Sequence, residues 1–200
     1  MLRDVHNIIF RKIPSIYFSI ISGVKLNLTH EIRGRIIIQR RKFWYPDYRN
    51  RGTLTIGDSF RCNNLPHTNS VGLIQRCVFN YVARGSQIII KDNVGISGST
   101  VKASKKVVIG NNVMIGSGCL ISDSDSHPLN FMDRRNKEHD KIKAQSIHIG
   151  DDVFIGARTI ILKGVTIGDR TVVGAGSVVS KSLPPDSVAA GNPCKVLKQL

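Results

Sequence analysis

The chain has 200 residues, room for one domain and a short appendage but not for two full domains. Its 41% apolar share can fill a core, and with only 6% aromatics beside plentiful Ile, Val and Gly it suits short packed strands better than a helical bundle. Lys and Arg outnumber Asp and Glu by 29 to 14, so the surface attracts polyanions such as acidic glycans, anionic headgroups and phosphorylated cofactors; the basic residues are not gathered on one helix with aromatics between them, which speaks against nucleic acid.

Cys62, Cys77, Cys119 and Cys194 form no CxxC pair and read as small buried hydrophobes of a reducing compartment. No apolar run reaches the length of a membrane span. The start of the chain does not read as a signal peptide, because Asp4 and His6 precede a short apolar patch that Arg11 and Lys12 interrupt. The expected location is the cytoplasm.

Residues 1–34 read as a separate N-terminal helical segment. In RKIPSIYFSIISGVKLN, Ile13, Ile16, Tyr17, Ile20 and Ile21 fall at helical spacing, with Pro14 in the first turn and Gly23 as a stop. Docking on the main domain is the favoured use of this segment. Its basic edge also allows a peripheral contact with the inner face of a membrane. The domain proper is expected over 35–200. Arg35 to Ile38 reads as a strand, and the basic, aromatic RRKFWYPDYRN as a surface loop.

A six-residue beat then begins. After the Ile-Gly-Asp of GTLTIGDS and an irregular patch, Ile90 and Ile96 are six apart. Ala103, Ile109, Ile115 and Ile121 continue in sixes after a one-residue slip, and Ile149, Ile155, Ile161, Ile167, Val173 and Val179 resume without one. Two residues before most of these stands a small or β-branched residue, such as Val153, Thr159, Thr171 or Ser177. Such a repeat describes short flat strands, each sending one large residue into a prism, with Gly, Asn and Asp in the turns. Three strands make a coil of about eighteen residues, and the chain holds roughly six coils.

The beat fails over 122–146. There ISDSDSHPLN brings two aspartates and a histidine into an extruded loop.

These residues resemble the hexapeptide-repeat acyltransferases, whose fold is an all-β, left-handed parallel β-helix. The run IGDDVFIGARTIILKGVTIGDRTVVGAGSVVSKSLPPDSVAAGNPCKVLK is similar to the C-terminal signature of their O-acetyltransferase branch, which includes galactoside and maltose acetyltransferases and, closest in character, acetyltransferases of surface polysaccharides. The resemblance implies acetyl-CoA as co-substrate, a homotrimer and a sugar acceptor, with no metal. It puts the catalytic histidine at His127. An imidazole suits proton removal from a hydroxyl near neutral pH, and a carboxylate on its other nitrogen would fix the tautomer. Asp125 is the first choice for that carboxylate and Asp123 the second. His139 and His148 are expected on the exposed arm of the loop and on the prism wall.

By position, the resemblance places the donor at Ala157, Ala175, Ser180, Lys181 and Lys198, the amides on the pantetheine arm and the lysines on the phosphates. Asp123 and Phe154 are assigned to the acceptor. Phe154 stands where many relatives have Trp. The acids that bind galactoside or maltose have no match in GISGSTVKASKK, and that basic stretch favours an anionic acceptor. Two other transferase readings share the donor site, acetylation of an antibiotic and N-acetylation of an amino or nucleotide sugar; a non-catalytic scaffold leaves the loop unexplained. The zinc site of the γ-class carbonic anhydrases, which share the fold, needs more closely spaced histidines than His127 and His139.

Overall fold

The computed structural model describes residues 31–33, 36–39, 52–81 and 83–200. The helical segment expected over 1–34 therefore lies outside the described residues as far as 30, as does the basic aromatic loop. Glu31–Arg33 is a strand, so the first coil starts there and not at 35.

Three flat sheets form the walls of a triangular prism. Sheet A stacks Glu31–Arg33, Arg61–Asn63, Gly95–Ser97, Met114–Ile115, Phe154–Ile155, Val172–Val173 and Ser187–Ala190, then Lys195–Gln199. Sheet B stacks Ile37–Gln39, Val78–Asn80, Thr100–Lys102, Leu120–Ser122, Ile160–Ile161 and Val178–Val179. Sheet C stacks Thr53–Ile56, Gln87–Ile90, Lys106–Ile109, Ile147–Ile149 and Thr166–Ile167. Every pairing is parallel except the last of sheet A, where Lys195–Gln199 folds back on Ser187–Ala190. The chain visits A, B and C in turn, which gives the six coils that the repeat predicts.

The beat works because one position per strand points inward. Ile115, Ile155 and Val173 stack behind sheet A, Ile121, Ile161 and Val179 behind sheet B, and Ile109, Ile149 and Ile167 behind sheet C, all essentially buried. At about 2–5 kcal/mol for each truncation to Ala, this column carries the stability of the prism. The small residues two places earlier fill the corners. The Thr159, Ser177 and Ser187 hydroxyls are buried and donate to the carbonyls of Gly156, Gly174 and Pro184, each three residues back.

One position differs from the sequence reading. Val101, not Ala103, is the inward residue of sheet B, in register with Phe79 and Ile121. Ala103 is buried at the following corner, so the slip is shared between a short and a long step.

The C-to-A corner explains the Gly-Asp/Asn turns. Asp92, Asn111, Asp151 and Asp169 each accept a backbone N–H from the coil before, forming a ladder along the prism edge. The Oδ1 of Asp151 lies where a Cβ on Gly110 would be, and that of Asp169 where a Cβ on Gly150 would be, so only glycine fits beneath the ladder. Among the described residues no helix is long and apolar enough to cross a membrane.

Candidate active site

The chain leaves sheet B after Ser122 and rejoins the prism in sheet C at Ile147, so the expected extruded loop stands on the B-to-C corner. Its root is tightly pinned. The Asp123 carboxylate is fully buried, taking the Ser104 N–H on Oδ1 at 2.7 Å and the N–H groups of Lys105 and Lys106 on Oδ2 at 2.7 and 2.8 Å. Asp123 is therefore neither an acceptor ligand nor the partner of the histidine: every oxygen is spent on the turn of the coil above. Ser124 bridges Ala144 in antiparallel fashion, and the Asp125 N–H donates to the Lys143 carbonyl. The outer arm carries one helix, α1 (Phe131–Arg135), capped by the Asn130 side chain on the N–H groups of Met132 and Asp133.

His127 stands exposed beyond this root, before the buried Pro128. Two lysines from the prism hold the limb leading to it. The Lys102 ammonium, from coil three, donates to the Ser126 hydroxyl at 2.5 Å. The Lys163 ammonium, from coil five, pairs with Asp125 Oδ1. Asp125 Oδ2 is buried with no hydrogen-bond partner among the described residues. Ser126 takes a left-handed backbone, φ 66°, which turns the chain outward at the histidine. Lys163 was not legible in the sequence: it lies 38 residues from Asp125, in an ordinary repeat turn. His139 falls in a short 3-10 turn of the exposed arm, and His148 on the outer face of sheet C.

The expected donor residues do not gather in one place. Ala157 and Ala175 lie on the A-to-B corner of coils five and six, and their N–H groups donate to nothing among the described residues. Ser180 and Lys181, both exposed, follow the last strand of sheet B, on the same B-to-C corner as the His127 loop. Lys198 lies on the terminal strand of sheet A.

Phe154 lines a groove of about 340 Å³ on the outer face of sheet A, with Arg61, Asn63, Ser97, Met114 and Gly116. The exposed Phe154 and Met114 side chains stack on neighbouring coils as an apolar platform. The groove adjoins the A-to-B corner through Gly116, where an added Cβ would sit 2.6 Å from the Ala157 nitrogen. The basic GISGSTVKASKK stretch is divided: Ser97 lines the groove, while Lys102 belongs to sheet B and Lys106 to sheet C. Burial pushes the thiols of Cys62 and Cys119 up, so both stay protonated.

Known proteins share this construction. Residues 146–181 match the family described as bacterial transferase hexapeptide (six repeats). A protein of Staphylococcus aureus (strain Mu50), named provisionally as an acetyltransferase, is 47% identical over 54% of this chain and 63% of its own. The galactoside O-acetyltransferase of Escherichia coli (strain K12) is 40% identical over 60% of this chain and 58% of its own. A galactoside acetyltransferase solved in complex with coenzyme A is 29% identical, with a TM-score of 0.52 over 74% of this chain and 65% of that one. The chain thus spans about three-fifths of the length of the curated relatives it matches. The prism is the left-handed parallel β-helix of these proteins.

Proposed function

We propose that this chain, whose residues 146–181 match the bacterial hexapeptide transferases, is an acetyl-CoA-dependent O-acetyltransferase acting on a sugar hydroxyl, with His127 as general base. The observation that carries the reading is the division of the site between two corners. The free amides of Ala157 and Ala175 and the Phe154 groove belong to the A-to-B corner and sheet A. His127, Ser180 and Lys181 belong to the B-to-C corner. The full width of sheet B separates them, about 16 Å for the five residue steps from Gly98 to Ala103. Packing the B-to-C corner of one copy against the A-to-B corner of the next brings base and donor together. A homotrimer closes such contacts with one repeated interface.

In this arrangement the free amides hold the pantetheine arm, and Lys181 and Lys198 meet the phosphates. The acceptor sugar lies on the Phe154–Met114 platform, an apolar face suited to a pyranose ring. His127 Nε2 takes the hydroxyl proton as the oxygen attacks the thioester carbonyl. The tetrahedral intermediate collapses, the carbon–sulfur bond breaks, and the imidazolium returns the proton to the departing sulfur. Asp125, whose Oδ2 has no hydrogen-bond partner among the described residues, is the carboxylate we assign to His127 Nδ1, to fix the tautomer once the loop docks on a neighbouring copy. Transfer is direct, because the protonated, buried Cys62 and Cys119 are poor nucleophiles.

Lys102, whose ammonium reaches from sheet B to the Ser126 hydroxyl, adds positive charge beside the base. It favours an acidic glycan or a sugar carried on a lipid pyrophosphate, and hence a place in surface-polysaccharide synthesis in the cytoplasm at the membrane's inner face. A screen of neutral, acidic and amino sugars with acetyl-CoA, read by free thiol release, tests the reading. Release with no hydroxyl sugar, but with an amino sugar, would replace it by N-acetylation.

A further inference from the structure

The irregular patch within the second coil proves to be a second extrusion, and the function just described leaves it unused. The chain leaves sheet A after Asn63 and enters sheet B at Val78, so residues 64–77 stand on the A-to-B corner. That is the corner of Ala157 and Ala175. The insertion does not stay at its own coil. It runs along the corner toward them, and its backbone and side chains fasten it there. The Asn63 Oδ1 accepts from the Thr68 hydroxyl at 2.6 Å and the Leu65 N–H at 3.2 Å, and the Gln75 amide donates to the Thr100 hydroxyl at 2.8 Å.

Leu73 and Ile74 therefore roof the middle of the corner. A Cβ on Gly98, in coil three, would lie 2.9 Å from Leu73 Cδ2; one on Gly118, in coil four, would lie 3.3 Å from Ile74 Cδ1. Toward the C-terminus the corner opens at coil six: a Cβ on Gly176 would meet nothing within 4 Å, and Ala175 beside it is exposed. Ala175, Ala157 and Gly118 sit on successive coils, about 4.8 Å apart, so some 10 Å of corner runs from Ala175 to Ile74, where the exposed Arg158 stem also lies 3.5 Å from a Cβ on Gly118. Ile74 is 70% exposed, an apolar tip with little to cover it in the single chain.

We propose that Leu73 and Ile74 are the closed end of the donor groove and restrict the acyl group to acetyl. This rests on the reading of the A-to-B corner as the donor site. A pantetheine arm bonded to the Ala175 and Ala157 amides, with its phosphates toward the C-terminal coil, points its thioester at coil four. The acetyl methyl then meets the Ile74 side chain. Each further methylene has to displace a branched side chain on a backbone pinned at Asn63 and Thr100. In a well-shaped apolar pocket one methylene changes discrimination by roughly tenfold or more.

Binding of acetyl-, butyryl- and hexanoyl-CoA to the full chain, measured by titration calorimetry, tests this without knowledge of the acceptor. The wild type is expected to bind acetyl-CoA and to lose at least about tenfold in affinity with hexanoyl-CoA. Ile74→Ala, and the double change with Leu73→Ala, should recover that loss while the melting temperature holds. Equal wild-type affinity for acetyl- and hexanoyl-CoA, or an unchanged ratio in both variants, overturns the proposal. If neither free coenzyme A nor any acyl-CoA binds the wild type, the donor reading itself fails and the proposal falls with it.

Discussion

Asp125 is held by Lys163, which reaches up from coil five to pair with one carboxylate oxygen while the other stays buried and unpartnered. The lysine and carboxylate side chains are only 25% and 15% exposed, so this pair is more than a surface ion pair. Lys163→Met should leave a half-buried carboxylate without its counter-ion. We expect a loss of about 1–3 kcal/mol in stability and of about tenfold in turnover, read by denaturant melts and thiol release. Asp125→Asn in the same chain should restore stability but not rate. If the double variant regains wild-type turnover, Asp125 does not serve the base.

His127→Ala should lower turnover by about 10²–10⁴-fold, the usual span for a positioned general base. The side chain is exposed and makes no hydrogen bond among the described residues, so the melting temperature should not change. A variant that retains near-wild-type thiol release would remove the assignment.

Asp123→Ala should show the opposite pattern. It strips an acceptor from three backbone N–H groups at a fully buried site, at a cost of about 3 kcal/mol or more. Activity should follow the folded fraction and not fall further. Calorimetry beside single-temperature assays below the transition separates the two variants.

The sequence made the prism legible because its repeat has the period of the structure itself, one inward aliphatic per wall. It also marked the extruded loop, because ejecting residues breaks that period where Ile121 and Ile149 should be six apart. Three features were hidden for physical reasons. Asp123 and Asp125 stand two apart in one polar loop, and only burial separates a turn-capping carboxylate from one held by lysine. Lys163 acts across a coil boundary, and a solvated lysine in a repeat turn looks the same as a functional one. The insertion at 64–77 has no period, so its path over Gly98 and Gly118 could not be read from spacing.

Gly150→Ala probes the Asx ladder. The new Cβ would overlap Asp169 Oδ1, which accepts the Asp151 N–H from the same coil as Gly150. We expect a loss of about 1–3 kcal/mol in a chemical melt, from overpacking and one broken rung. Gly176→Ala meets no atom, and its cost should come only from its φ of 72°. A smaller loss at Gly150 than at Gly176 would contradict the packing account.

The pH dependence of stability follows from two exposed carboxylates on the C-to-A edge. The Arg170 guanidinium holds the Asp186 carboxyl below its usual range through Nε at 2.5 Å and Nη2 at 2.8 Å. The Asn111 backbone N–H does the same for Asp151. A carboxyl whose folded pKa is depressed adds stability above its unfolded value, about 3.9, and loses it as pH falls through the folded one. The melting temperature should therefore be level from neutral pH to about 5 and fall below 4. Asp186→Asn should melt lower at neutral pH and converge on the wild type in acid, where the native carboxylate has lost its charge. A constant gap between the two melting curves from neutral pH down through acid would show that the Arg170–Asp186 pair contributes nothing that depends on its charge.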